Sequence, residues 1–454
     1  MKKHLRIAAF ILACLLALGT VGCATDTDAD PSENGNVPWD GERKDGEEYV
    51  PDGAQYTPRT DTVSYRFDVT SDPFAAAQMS FAIDLFKGTV ARNDYDASTL
   101  ISPLSISMAL SLAANGAEGE TLDQMLSVVA KDLTQEQLNE GMKALQERTL
   151  NNMKNTERAP KVNIANSLWL RESDAVSFQD EFLEVNENYY AADAFERAFD
   201  KNTVKEINDW VSDRTDGMIP AVIDSLDERD VMVLINTLMF QAKWEDQFGE
   251  KSIKDGTFTT ADGTEKDVKM LHGTEYDYVD DGRAQGFIKF YEGGRYAFVA
   301  LLPDAGLTVA DYVAGMDADT ILSMLRDRET TRGIWCRYQL PEFSIDYNDG
   351  GRLDDVLKSL GMTDAYSQEK ADFGGIGEMA EDGNNIHLRR IIHKTTMNVD
   401  ENGTSAAAVT AIAAPGSPMP IEIRQLTFDR PFVCMIIETG TGIPLFMGTV
   451  MDVK

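Results

Sequence analysis

The sequence predicts one large mixed α+β domain, on three observations. Segments with apolar residues at helical spacing dominate the chain up to Ser225, short β-branched and apolar runs dominate after it, and neither an internal repeat nor a second linker separates the two halves. The 454 residues would accommodate two or three average domains, but length is a soft guide. A hydrophobic fraction of 43% with aromatics at 9% suits a single sizeable core.

Taken in order, the chain begins with Lys2, Lys3 and Arg6, an apolar run from Ile7 to Val21, and then Gly22-Cys23. This reads as a signal peptide over residues 1–23, too short and wrongly flanked to span a bilayer. Leu18-Gly19-Thr20-Val21-Gly22-Cys23 resembles a bacterial lipoprotein cleavage box, with Cys23 as the lipid acceptor. Thr20 stands where that box usually has an aliphatic residue, so ordinary cleavage near Ala24 is the alternative. Residues 24–66 are rich in Asp, Glu, Gly, Pro and Thr and poor in aliphatic residues, the composition of a disordered acidic tether. The folded domain is then expected over residues 67–454.

Within it, Pro73 to Phe86 carries apolar residues at helical spacing, and Ser102 is placed to cap a second helix opened by Pro103. Strands are expected from Val162 to Leu170, Val231 to Asn236, Ala297 to Pro303, Tyr338 to Ile345, Ile391 to Val399 and Phe432 to Ile437, with a helix from Leu353 to Leu360. Cys14 leaves with the signal and Cys23 would carry lipid, so only Cys336 and Cys434 remain, both in apolar contexts that suit small buried hydrophobes.

Several function classes are excluded at this stage. A net charge of −34 argues against nucleic acid or an anionic membrane surface as partner, leaving a lipid anchor as the one expected membrane contact. There is no G-x-S-x-G elbow, H-E-x-x-H helix, phosphate-cradling glycine loop or paired C-x-x-C. His272, His387 and His393 are too scattered to suggest a metal site, and in so acidic a chain a pair of carboxylates is expected by chance. Neither catalysis nor a cofactor is therefore expected.

What remains unexplained is Glu401 to Pro420, a stretch uncharged after its first residue, dominated by small side chains, and set between strand-like segments. Taken alone it would read as an alanine-rich helix capped by Thr404 and ended by Pro415. Its surroundings change that reading. Ile101-Ser102-Pro103-Leu104-Ser105-Ile106, Ala165-Asn166-Ser167-Leu168-Trp169, Ile207-Asn208-Asp209-Trp210-Val211, Thr215-Asp216-Gly217-Met218-Ile219 and Leu234-Ile235-Asn236 with Lys243-Trp244 follow one another in order. Leu340-Pro341-Glu342-Phe343, Ala371-Asp372-Phe373, His393-Lys394, Glu401-Asn402-Gly403-Thr404-Ser405-Ala406-Ala407-Ala408, Asp429-Arg430-Pro431-Phe432 and Leu445-Phe446-Met447-Gly448 complete the series. Together they resemble the serpin family from about Asp72 to the C-terminus.

The resemblance implies the serpin fold, about nine helices around three β-sheets with an exposed reactive loop and a metastable native state. It also implies a suicide inhibitor rather than an enzyme. A target protease cuts the loop, and the freed segment enters the central sheet as a new strand with the acyl-bound protease attached. At about 3.3 Å per residue, some fifteen inserted residues would carry the protease roughly 50 Å.

By position, Glu401, Gly403, Thr404, Ser405, Ala406, Ala407 and Ala408 correspond to the family's hinge, and Ser102, Ser105, Asn236, His393 and Trp244 to the groups where the sheet opens. The core-facing alternation Thr404, Ala406, Ala408, Thr410, Ile412 and Ala414 contains neither charge nor proline, either of which would oppose insertion. Family spacing puts the reactive bond at Gly416-Ser417, with Pro418 and Met419 as the alternative register. Pro415, Pro418 and Pro420 disfavour cutting at the bonds before them. Ala413-Ala414-Pro415 resembles sequences taken by elastase-like or subtilisin-like serine proteases, with a cysteine protease as the alternative partner, and a monomer acting outside a bacterial cell is expected. One departure concerns the hinge itself. Glu342 replaces the basic residue that commonly pairs with the hinge glutamate, so either two carboxylates meet there or each takes another partner. The competing readings are a serpin-fold binding protein or protease substrate that does not inhibit, and a surface lipoprotein that captures a solute or glycan.

Overall fold

The structure, a computed structural model, describes residues 72–94, 96–151, 160–172, 176–227, 230–326, 334–379, 386–389, 391, 393–404 and 422–453. The expected signal and tether, Cys23, the hinge residues Ser405, Ala406, Ala407 and Ala408, and the reactive-bond residues Gly416, Ser417, Pro418 and Met419 lie outside the described residues.

Helices α1 (Pro73–Val90), α2 (Pro103–Ala114), α3 (Gly119–Val129), α4 (Gln135–Asn151), α5 (Asp180–Tyr190) and α6 (Lys201–Arg214) occupy the first half, and α7 (Val309–Ala314), α8 (Ala318–Arg326) and α9 (Leu353–Ser359) follow later. Strands β1 (Thr99–Ile101), β2 (Lys161–Arg171), β3 (Val176–Phe178) and β4 (Asp193–Arg197) run between the early helices. Next come β5 (Met232–Lys243), β6 (Ile253–Thr259), β7 (Glu265–Glu275), β8 (Tyr278–Asp280), β9 (Ala284–Phe290), β10 (Tyr296–Pro303), β11 (Ile334–Pro341) and β12 (Phe343–Asn348). The last are β13 (Gly377–Met379), β14 (Lys394–Val399), β15 (Gly403–Thr404), β16 (Glu422–Thr427), β17 (Phe432–Glu438) and β18 (Pro444–Val450).

The helix starts follow from their caps. Asp72 Oδ1 accepts from Phe74 N at 3.0 Å ahead of Pro73, and Ser102 Oγ accepts from Ser105 N at 3.3 Å ahead of Pro103. Nearly every residue of α2 is buried, because the helix lies beneath the central sheet and packs on β5 and β18.

The strands form three large sheets and a ribbon. The central sheet has six strands in the order β12-β14-β15-β5-β2-β4, a second has six in the order β1-β18-β17-β10-β9-β8, and a third has four in the order β16-β11-β7-β6. β13 and β3 pair as the ribbon. All of β10, β17 and β18 is buried, which explains why these strands read as unbroken apolar runs rather than as alternations.

Two expected strands are corrected. The run from Tyr338 to Ile345 is not one strand: it divides at Glu342, with β11 in the four-stranded sheet and β12 in the central one. Glu342 N instead donates to Lys269 O at 2.9 Å, and the alternating buried set slips by one residue there, from Cys336, Tyr338 and Leu340 to Phe343, Ile345 and Tyr347. The strand expected from Ile391 begins at Lys394, because Ile391 N donates to Asp354 Oδ1 at 2.9 Å and His393 O accepts from Asp349 N at 3.2 Å.

Candidate functional site: the seated hinge and the slot below it

The central sheet holds the site because its two halves meet through two residues. β15 pairs with β14 at Val399↔Thr404 and with β5 at Gly403↔Lys243 and Thr404↔Ala242. Below Thr404, no ladder among the described residues joins β14 to β5. A narrow cavity lies there, lined by Ile235 to Leu238 on one side and His393 to Thr395 on the other, with Ser102 and Ser105 beneath. Such a gap between two strand edges can be filled by one more strand.

Local chemistry fixes the turn into β15. Asp400 Oδ1 accepts from Asn402 N at 2.8 Å and Gly403 N at 3.2 Å. A Cβ at Gly403 would lie 2.1 Å from Ala242 O, so the close approach of the two backbones requires glycine. Thr404 is 4% exposed, and its Oγ1 is 2.7 Å from Tyr291 OH. Burial pushes the Tyr291 phenol well above its usual range, so it stays protonated and available to this bond.

Trp244 holds the hinge from the side. Its backbone N–H donates to Asn402 O at 2.9 Å and its indole Nε1–H to Asp400 O at 2.9 Å, while its ring stacks on Tyr291 with centroids 4.5 Å apart. Gln247 Nε2 donates to Asn402 O at 3.2 Å and Phe248 N to Glu401 O at 3.1 Å. Beneath them Lys289 pairs with Glu275 at 2.8 Å and lies over the rings of Phe248 and Trp244.

The floor of the slot is a buried polar network. Ser102 N donates to His393 Nε2 at 3.0 Å, Ser105 Oγ donates to Asn236 Oδ1, Asn236 Nδ2 donates to Asn166 Oδ1 at 2.5 Å, and Asn166 Nδ2 donates to Tyr190 O at 2.8 Å. The chain thus ties α2 to β5, β2 and the residue just before β14.

A family model described as Serpin (serine protease inhibitor) matches residues 76–453. The chain belongs to the serpin family. This serpin is 30% identical over 402 residues to an uncharacterized serpin-like protein of Thermococcus kodakarensis, covering 86% of this chain and 89% of the relative. It is 31% identical over 390 residues to alpha-1-antichymotrypsin of Homo sapiens, covering 84% and 88%. Among solved structures it is similar to the native state of the thermophilic serpin Tengpin, with a TM-score of 0.75 and 35% identity over 85% of this chain and 95% of that one. The family is described by serine protease inhibition rather than by an enzyme activity, which supports the serpin fold and serine protease inhibition in general for this chain.

The structure brings Ser102, Ser105, Asn236 and His393 together at the slot and Trp244 against the hinge, at the positions the resemblance gave. Tyr291, Asn166 and Gln247 also belong here, although no local motif marked their contacts with the hinge or network. Of the two alternatives for Glu342, the carboxylates meet. Its carboxyl is held above the usual range by burial first, and then by Glu401 and Asp400, with Lys269 opposing. A carboxyl whose folded pKa is raised destabilises the fold as pH climbs from 4.5 through that raised value, since the folded state must give up a proton it prefers to keep. Glu342→Lys is therefore expected to raise the neutral-pH melting temperature by about 2 °C and to weaken its pH dependence, as read by thermal scans.

His393 has the opposite sign. Burial pushes its pKa from 6.5 down to about 4, so the neutral ring that accepts from Ser102 is favoured only in the folded state. Stability from this group is present above 6.5 and is lost as pH falls toward 4, because the unfolded chain takes up the proton first. The stability of the wild type relative to His393→Asn, read by urea denaturation, should therefore shrink as pH falls from about 6.5 to 5, by up to about 1.4 kcal/mol per unit, whatever slope the raised carboxyls give both proteins.

Proposed function

We propose that this serpin is a suicide inhibitor of elastase-like or subtilisin-like serine proteases. The protease cuts the loop at Gly416-Ser417, or at Pro418-Met419 as the alternative, and the segment behind it enters the slot between β14 and β5. The observation that carries this reading is the seating of Thr404 between Val399 and Ala242, at the head of two strands that no ladder among the described residues joins below it. Insertion then extends a pairing already begun, along an alternation of small uncharged side chains from Thr404 to Ala414.

Attached through a lipid on Cys23 and a tether over residues 24–66, the inhibitor would act outside a bacterial cell. Incubation with pancreatic elastase or subtilisin tests the function. An SDS-resistant covalent complex supports it, while complete cleavage without complex at every ratio tested contradicts inhibition. Pro415, Pro418 and Pro420 favour that second outcome, a protease substrate on a serpin fold, by restricting the backbone around the bond. Mass spectrometry of the released C-terminal fragment identifies the cut.

A further inference from the structure

Two large hydrophobic side chains stand out as exposed among the described residues: Tyr276 at 53% and Ile423 at 38%. They converge on one side chain. Ile423 of β16 is the register partner of Trp335 in β11, and the Tyr276 ring, just past the end of β7, meets the Trp335 ring edge-on with centroids 5.0 Å apart. One face of the four-stranded sheet thus presents an apolar patch from three neighbouring chain segments. Its border on that face is polar: Arg337 lies beside Gln425 and Thr274 in register. An apolar centre with a polar rim is the composition of a protein-binding surface.

The chain's own connectivity says what reaches it. Ile423 follows Met419 by four residues and Ser417 by six. It therefore lies no more than about 14 Å from the first and about 22 Å from the second along a fully extended chain. A protein contact of ordinary size, about 800 Å² per partner, covers a disc of about 16 Å radius. A protease seated on the Met419 register therefore overlies Ile423, and one seated on Gly416-Ser417 comes to within about 6 Å of it even with the chain fully extended. Residues C-terminal to the cut lie on the leaving-group side of a protease cleft, so that side faces Tyr276, Trp335 and Ile423.

We propose that Tyr276, Trp335 and Ile423 form a second contact site for the target protease, matched to an apolar surface bordering the leaving-group side of its cleft. The inference rests on the reactive loop being the protease's bait. The patch acts before the bond is cut, so it sets the rate of recognition and leaves unchanged the division between trapping and release.

The test follows loss of intact chain with excess pancreatic elastase or subtilisin, which reads recognition whether the product is a complex or a cleaved serpin. For Tyr276→Ser with Ile423→Thr, the second-order rate is expected to fall about tenfold, equivalent to about 1.4 kcal/mol. The urea midpoint and the ratio of complex to cleaved chain should not move. An isolated peptide spanning Glu401 to Pro420 lacks the patch and should be cut slowly, at a rate close to that of the double variant. An unchanged rate in the double variant overturns the proposal, and so does a dimer in sedimentation that the two substitutions disperse, since the patch would then serve a second copy. Cleavage of the wild type without any complex would instead refute inhibition, and the rate comparison would still decide the contact site.

Discussion

Thr404→Arg is expected to abolish the SDS-resistant complex while the reactive loop is still cut. Thr404 is the first residue of the loop segment to enter the sheet, 4% exposed and bonded through Oγ1 to the buried Tyr291 hydroxyl. An arginine there forces a large cation into a buried seat between β14 and β5 that a threonine fills, at a cost of several kcal/mol. It also leaves Tyr291 without its present partner. Insertion must begin at this position, so the acyl-bound protease has time to complete hydrolysis and leave. Complex formed per loop cut should drop at least about tenfold, the effect of as little as 1.4 kcal/mol on the competing rates. Thr404→Ser, which keeps the hydroxyl, should remain close to wild type. Electrophoresis of timed reactions with elastase checks both, and undiminished complex with the arginine variant would show that β15 is not where insertion starts.

Trp244→Ala should have the largest effect on stability. The side chain is fully buried, stacks on Tyr291, meets Phe298 edge-on, and donates its indole N–H to Asp400 O at 2.9 Å. Removing a buried aromatic of this size costs about 3–5 kcal/mol. The loss falls at the turn that aims Gly403 and Thr404 into the sheet. Trp244→Phe retains a ring for Tyr291 and loses the N–H donated to Asp400, so about 1 kcal/mol is expected from that bond. Urea denaturation of the three proteins separates the packing part from the hydrogen-bond part. A loss below about 1 kcal/mol for the alanine variant would mean that the hinge is held elsewhere.

Much of this architecture is legible in the sequence, for local reasons. Ser102-Pro103 specifies a helix start whatever surrounds it, and the apolar runs of β10 and β17 specify buried strands. The turn into β15 is legible because glycine is needed at Gly403, where its backbone meets that of Ala242. The break at Glu342 leaves only a one-residue slip in the apolar alternation, between Leu340 and Phe343, and the change of sheet depends on which neighbours claim each half. The same division explains why the Glu342 and Glu401 pair could be posed from sequence but not resolved. The two carboxylates lie where the four-stranded and central sheets meet, and that meeting is a property of the whole fold. Tyr291 likewise becomes a hinge residue only because the turn after β9 passes beneath Trp244.

Charge supplies a further contrast with the more common arrangement implied by the family resemblance. With Glu342 in place of a cation, no ion pair to Glu401 stands among the described residues, and the hinge seat is held by Trp244, Gln247 and Phe248 through bonds to backbone of residues 400–402, by the β15 ladder and by the Thr404–Tyr291 bond. A hinge held mainly by backbone bonds and one aromatic is secured by packing more than by charge, so salt should change its behaviour little.

Trapping of the protease requires that the cut loop fill the slot between β14 and β5. Thermal unfolding of the chain before and after limited cleavage near Ser417 tests this directly. Insertion joins two strand edges that no described ladder joins below Thr404, so the cleaved protein should melt more than about 10 °C above the intact one. A cleaved protein that melts at the same temperature as the intact chain, or below it, would contradict the claim.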